Sequence, residues 1–152
     1  MWHNAHDAYL ESRVLSADPV ELIGLLYQTA IVAVQDGRRH LAEGKIRERS
    51  KAITKASQVV IELMRALDHE RGGELSGRLA ALYGYILERL REANFQQRDE
   101  PLAEVLSLLA TLAEGWEGVR RQTEPEPPAA DRWNPEIAAE PGAECAEHAW
   151  SF

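Results

Sequence analysis

The sequence predicts an all-α protein: an antiparallel up-down four-helix bundle, with a short N-terminal segment over residues 1–18 capping it and a disordered, Pro-rich acidic tail over residues 122–152. Three observations predict this. Apolar residues recur at alternating spacings of three and four through four successive stretches between residues 19 and 121. The breaks between stretches are short and carry glycine or a potential capping residue. Strict apolar–polar alternation, the signature of a strand, is absent.

The first helix starts in Ser16-Ala17-Asp18-Pro19-Val20-Glu21. Asp18 can cap, Pro19 lacks the N–H that would be orphaned at the first helical position, and Glu21 sits where a capping-box acid sits. The helix runs to about Glu43, and Gly44 supplies the left-handed residue that stops it. The second, roughly residues 45–70, carries Ile46, Ile53, Val60 and Leu67 at seven-residue intervals with Ala56 and Leu63 between them; Gly72-Gly73 is expected to end it. The third, about residues 74–96, aligns Leu75, Leu79, Leu82, Ile86, Leu90 and Ala93. The fourth starts near Asp99-Glu100-Pro101 and aligns Leu102, Val105, Leu109, Leu112, Trp116 and Val119. Connections this short force antiparallel neighbours.

Helix one is more apolar than one bundle face requires. Leu22, Ile23, Leu26, Ala30, Ala33 and Val34 fill the expected core face, Gly24, Gln28, Gln35 and Arg39 a narrow polar or small strip. Leu25 and Val32 are left over on one flank, Tyr27 and Ile31 on the other. Two readings account for the surplus. Either helix one is central, or overlain by the N-terminal segment around Tyr9, Leu10, Val14 and Leu15; or the flanks form a groove for a partner's amphipathic helix, with Tyr83 and Leu87 of helix three as its shoulder. Both hold together if the N-terminal segment fills the groove until a client displaces it.

The charge of -8 is unevenly distributed. Residues 122–152 hold seven acids and one base, a net of -6, with five of the seven prolines; residues 1–121 hold 18 acids and 16 bases, a net of -2. One basic cluster stands out: Arg38, Arg39, Lys45, Arg47, Arg49, Lys51 and Lys55 against Asp36, Glu43 and Glu48. Its i, i+4, i+8 ridge of Arg47, Lys51 and Lys55 is either a solvated face or a site for an acidic segment of a partner or of the tail. No aromatic residue falls between Tyr27 and Tyr83, so bases find no stacking platform beside it, and nucleic acid is not expected as a partner. No apolar run reaches the ~18–20 residues that span a bilayer, and no leader pattern opens the chain, so membrane insertion is not expected and the cytosol is. A single cysteine, Cys145, fits a reducing compartment.

Site chemistry is sparse. Neither His40 nor His69 follows a glutamate by three residues, so the carboxylate–histidine set of a di-metal bundle is missing. His3 and His6 are a weak pair, Cys145 has no basic neighbour to activate it, and no serine sits in a nucleophile elbow or phosphate loop. No catalytic residue, metal or cofactor is expected.

The run Ala17-Asp18-Pro19-Val20-Glu21-Leu22-Ile23-Gly24-Leu25-Leu26-Tyr27 resembles the helix-one signature of the flagellar secretion chaperone family FliS. Leu82-Tyr83-Gly84-Tyr85 with Leu90 and Ala93-Asn94 is similar to that family's helix three, and Glu104-Val105 with Trp116 to its helix four. The resemblance covers about residues 9–121. It implies a cytosolic, non-enzymatic export chaperone that binds the disordered C-terminal region of flagellin, prevents its premature polymerisation and delivers it to a flagellar type III export gate component. Tyr9 matches the family's N-terminal tyrosine, and Asp18 replaces its usual serine, with equal capping ability. The expected client contacts are thus Tyr9, Leu10, Leu25, Tyr27, Ile31, Val32, Tyr83 and Leu87. A four-helix regulatory module that binds another partner's helix is the alternative. The extension holding Trp133, Trp150 and Phe152 has no family counterpart; it is a solvated solubilising extension, or its Trp150-Ser151-Phe152 end is a short anchor.

Overall fold

The computed structural model describes residues 7–9, 11 and 18–123. The expectations for Leu10, Val14 and Leu15, for His3 and His6, and for the tail with Cys145 and Trp150-Ser151-Phe152 lie outside these residues. The described helices fall in the unit Met1–Arg121, apart from the last two residues of the fourth. Four long helices follow one another: α1 (Pro19–Ala42), α2 (Ile46–Arg65), α3 (His69–Gln96) and α4 (Glu100–Thr123). Asp7, Ala8, Tyr9 and Glu11 are also helical, and exposed.

Local chemistry accounts for the helix ends. Asp18 Oδ1 accepts the Glu21 N–H at 2.7 Å while Pro19 occupies the first turn, so α1 opens on the cap its sequence encodes. Gly44, at φ 71°, follows the end of α1 and turns the chain. The second connection differs from expectation. Helix α2 stops at Arg65, and Asp68 caps α3 by accepting the N–H groups of Glu70 and Arg71, both at 3.1 Å. Gly72 and Gly73 lie not at the end of α2 but just inside α3, where Gly73 (φ 50°, ψ -124°) kinks the helix before its regular course resumes. Gly72 is needed there because a Cβ would stand 1.8 Å from Ser76 Oγ, whose hydroxyl is bonded to Asp68 O at 2.9 Å.

Side-chain bonds fix the order of packing. Ser50, early in α2, donates to Asn94, late in α3, at 3.1 Å. Arg38, late in α1, clasps Asp99, just before α4, through two bonds of 2.8 and 2.9 Å. Trp116, late in α4, returns to Val20, early in α1, at 3.0 Å. Tyr85 and Arg89 of α3 both donate to Glu104 of α4. Neighbouring helices therefore run antiparallel, the up-down-up-down bundle of the sequence reading.

The core is built by Ala30, Ala33 and Val34 of α1, Ile53, Ala56, Val60 and Leu63 of α2, Ile86, Leu90 and Ala93 of α3, and Leu102, Val105 and Leu109 of α4. Each large aliphatic side chain so buried stabilises the fold by about 1.5–3 kcal/mol. Gly37 brings α1 and α2 close, since a Cβ there would meet Ile53 Cγ1 at 3.4 Å. Three residues of the expected stripes, Ile46, Leu75 and Val119, are exposed instead, because each falls near a helix end or beside the kink. Arg49, counted with the surface basic cluster, is buried: it reaches Asn94 O at 3.4 Å, in the last turn of α3, where carbonyls lack helical partners and no basic residue of α3 itself stands.

Candidate functional site

Helices α1 and α4 converge on one close contact. Gly24 offers no side chain, so the Trp116 indole approaches the α1 backbone, with Cδ1 3.8 Å from where a Cβ would be, and its N–H donates to Val20 O. Beside this contact opens a groove of about 650 Å³. Its apolar walls are Leu25, Ile31, Ala110, Ala113 and Trp116, and Tyr27 forms part of its floor. Glu21, Gln28 and Glu114 stand on the rim with an ion-paired cluster in which Glu117 accepts from Arg120 at 2.7 Å and lies 3.7 Å from Arg121. The Arg120 hydrogen bond holds Glu117 below the usual carboxylate range. A trough with apolar walls and a rim of both charge signs fits an amphipathic helix or extended apolar segment better than a small polar substrate.

Behind the groove floor, Tyr27 and Tyr83 join hydroxyl to hydroxyl at 2.5 Å across the diagonal from α1 to α3. Burial pushes both phenols upward in pKa; the bond from Tyr83 partly offsets this for Tyr27, whereas the bond to Tyr27 adds to it for Tyr83.

This placement corrects part of the sequence reading. Tyr27 and Tyr83 do not stand on surplus flanks: they are 4% and 2% exposed and pair with each other inside the bundle. A phenol can enter a core once its hydroxyl has a partner, and each supplies the other's. Leu25 and Ile31 are half-buried and line the same groove, although they were assigned to opposite flanks. Val32, 52% exposed, lies away from that groove on α1. Leu87 is half-buried against the core, and Tyr9 is 61% exposed. Sequence reasoning placed Trp116 in a core stripe and Gly24 in the polar strip, missing their contact. A glycine inside a strongly apolar helix is the signal of close approach that pointed to it.

Among the described residues no cluster of three or more His, Cys, Asp or Glu could hold a metal ion, and no helix is long and apolar enough to cross a membrane. The family model for the flagellar protein FliS matches residues 2–123. The chain belongs to the FliS family. The flagellar secretion chaperone FliSB of Pseudomonas aeruginosa is 39% identical over 110 residues, spanning 72% of this chain and 87% of the relative. The FliS chaperone of Salmonella typhimurium is 35% identical over 111 residues, spanning 72% and 82%. A solved flagellar chaperone from bacteria matches with a TM-score of 0.65 at 16% identity, covering 80% of this chain and 99% of that one, and shows the same fold. The motifs in α1, α3 and α4 that resemble FliS are therefore those of a FliS chain, and the α1–α4 groove is a feature of a flagellar chaperone family member.

Proposed function

We propose that this FliS-family chain is a non-enzymatic export chaperone of the cytosol. It holds the disordered C-terminal region of flagellin, keeps it from polymerising prematurely and delivers it to the flagellar type III export apparatus. The observation that carries this reading is the α1–α4 groove, whose apolar walls Leu25, Ile31, Ala113 and Trp116 are open to a partner beside an otherwise closed core. Flagellin's terminal stripes are apolar because they assemble filaments; a groove that covers them temporarily blocks that assembly. The client orders as it binds, which offsets much of the contact energy and keeps release feasible. A wrapped segment touches more than one face, so Tyr9, Leu10, Val32 and Leu87 are proposed as further contacts, with Tyr27 as groove floor and Tyr83 supporting it from behind.

Calorimetry with a flagellin C-terminal peptide tests the proposal. Binding tighter than ~10 μM is expected. Ala110→Glu, at an exposed wall position, should weaken it at least about tenfold while leaving the unfolding midpoint nearly unchanged, and Ile31→Asp should weaken it further. Absence of binding at ~10 μM would refute the chaperone reading in favour of a module for another partner helix. Full affinity in Ala110→Glu would show that the client lies elsewhere on the bundle.

A further inference from the structure

The ion pairing of the bundle leaves one surface unmatched. Arg38, Arg39, Lys45, Arg65, Arg71, Arg78, Arg89, Arg91, Arg98, Arg120 and Arg121 each lie within 4 Å of a carboxylate. Arg49 is buried against a helix end. Among the described residues, the cations left without a carboxylate are Arg47, Lys51 and Lys55, and all three stand on the outer face of α2 at i, i+4 and i+8. With Ser50, Thr54 and Gln58 they border an open furrow of about 560 Å³. Glu48 lies on the flank of this row, and Glu62, two turns beyond Lys55, is already taken by Arg65. Ile61, 38% exposed, provides an apolar foothold just past Gln58.

We propose that this face of α2 docks an acidic amphipathic helix of a partner protein, carboxylates at i, i+4 and i+8 meeting Arg47, Lys51 and Lys55, and an apolar residue resting on Ile61. The spacing argues for a helix. Three cations one turn apart form a line that a second helix, with acids one turn apart, matches pair by pair. An extended acidic chain repeats its same-face carboxylates at about 6.6 Å against about 6 Å for the row, so it drifts out of step where a helix stays in register. The chain's own acids at Glu136, Glu140 and Glu144 share the spacing, but Pro141 falls among them, and a proline removes a backbone donor that a continuous helix needs. Nucleic acid is a poorer match, because the furrow contains no aromatic side chain for a base to stack on. Exposed ion pairs hold weakly, each worth a few-fold in affinity at most, so the row sets orientation and encounter rate while the apolar contact supplies retention. The furrow shares no residue with the α1–α4 groove, so the two surfaces can be occupied at once.

The test uses the full chain and fluorescence anisotropy with two labelled 20-residue alanine-rich helical peptides. One carries glutamates every fourth residue beside a leucine; the other has the same composition with its glutamates spread around the helix. The aligned peptide should bind at least about tenfold more tightly at low salt, weaken as salt rises, and lose about tenfold on Lys51→Gln/Lys55→Gln. Both positions are exposed, and far-UV circular dichroism checks that the variant keeps its fold. Equal affinity for the two peptides, indifference to the double substitution, or no saturable binding below about 1 mM overturns the proposal. So does tighter binding of a random single-stranded DNA 20-mer. A tenfold gain in peptide affinity on deleting residues 124–152 also overturns it, by assigning the face to the chain's own acids. None of these outcomes bears on the flagellin groove, which is read out by a different peptide and different variants.

Discussion

The tyrosine pair at the base of the groove predicts a strongly non-additive mutant cycle. Tyr27 and Tyr83 are both almost fully buried, and their hydroxyls bond to each other at 2.5 Å. Removing one hydroxyl forfeits a bond of about 0.5–1.5 kcal/mol and strands the other, at a desolvation cost of about 1–3 kcal/mol. The two single variants should cost about the same, because both hydroxyls meet in one buried bond behind the groove floor. Tyr83→Phe leaves the buried Tyr27 hydroxyl without its partner, and about 2–3 kcal/mol is expected. Tyr27→Phe leaves the Tyr83 hydroxyl shut in, and about 2–3 kcal/mol is expected. The double variant removes both polar atoms, strands neither, and should lose about 1 kcal/mol or less. Urea unfolding followed by far-UV circular dichroism at pH 7 reads all four proteins. A coupling of about 1.5 kcal/mol or more is the expected result. Additivity within about 0.5 kcal/mol would refute the reasoning, since it would mean that each hydroxyl finds another partner once its neighbour is gone. The same double variant decides what the pair does for the client: affinity for the flagellin peptide within twofold of the parent assigns it to the bundle, and a larger loss assigns it to the contact.

Two further outcomes follow from the fold. Gly73→Ala should cost about 1–3 kcal/mol in urea unfolding, because φ 50° with ψ -124° is a region only glycine enters freely; a cost below 0.5 kcal/mol would show that α3 can straighten through the kink. Stability should also fall on acidification. Glu104 is held below its usual pKa by the Tyr85 hydroxyl and then Arg89, and Asp99 by Arg38. Each carboxylate contributes stability above its unfolded pKa of about 4 and loses it as pH drops through the lower folded value. Urea midpoints should be level from pH 6 to 8 and decline below about pH 5, with a shallower acid slope in Arg38→Gln; identical slopes would show that the Arg38–Asp99 pair adds nothing in solution.

The starts of α1 and α4 and the turn between α1 and α2 were legible because each rests on chemistry between near neighbours. Asp18 with Pro19 announces α1, and Gly44 announces its stop, in any context. The α2–α3 junction was misread for an equally physical reason. The seven-residue repeat continues through Leu67, which still packs on the core from the connecting turn, so periodicity runs on after the hydrogen-bond ladder has ended. The deciding residue, Asp68, is a cap without a glycine or proline beside it, and Gly72-Gly73 drew attention four residues too late.

The site was legible only in part, because its parts lie far apart in sequence. The surplus of apolar residues on α1 was visible, and it does mark a helix touched on several sides: Tyr27 reaches α3, Gly24 receives Trp116 from α4, and Gly37 meets Ile53 of α2. A helical projection treats Tyr27 as one more apolar flank residue, since it has no means of knowing that a second phenol arrives 56 positions later to satisfy the first. Basic residues carry the converse lesson. Seven of them look alike as a cluster in sequence, but folding gives Arg38 to Asp99, buries Arg49 and leaves Arg47, Lys51 and Lys55 facing out. Pairing in the folded state, rather than charge count, separates the cations that hold the bundle together from those that remain to meet something else.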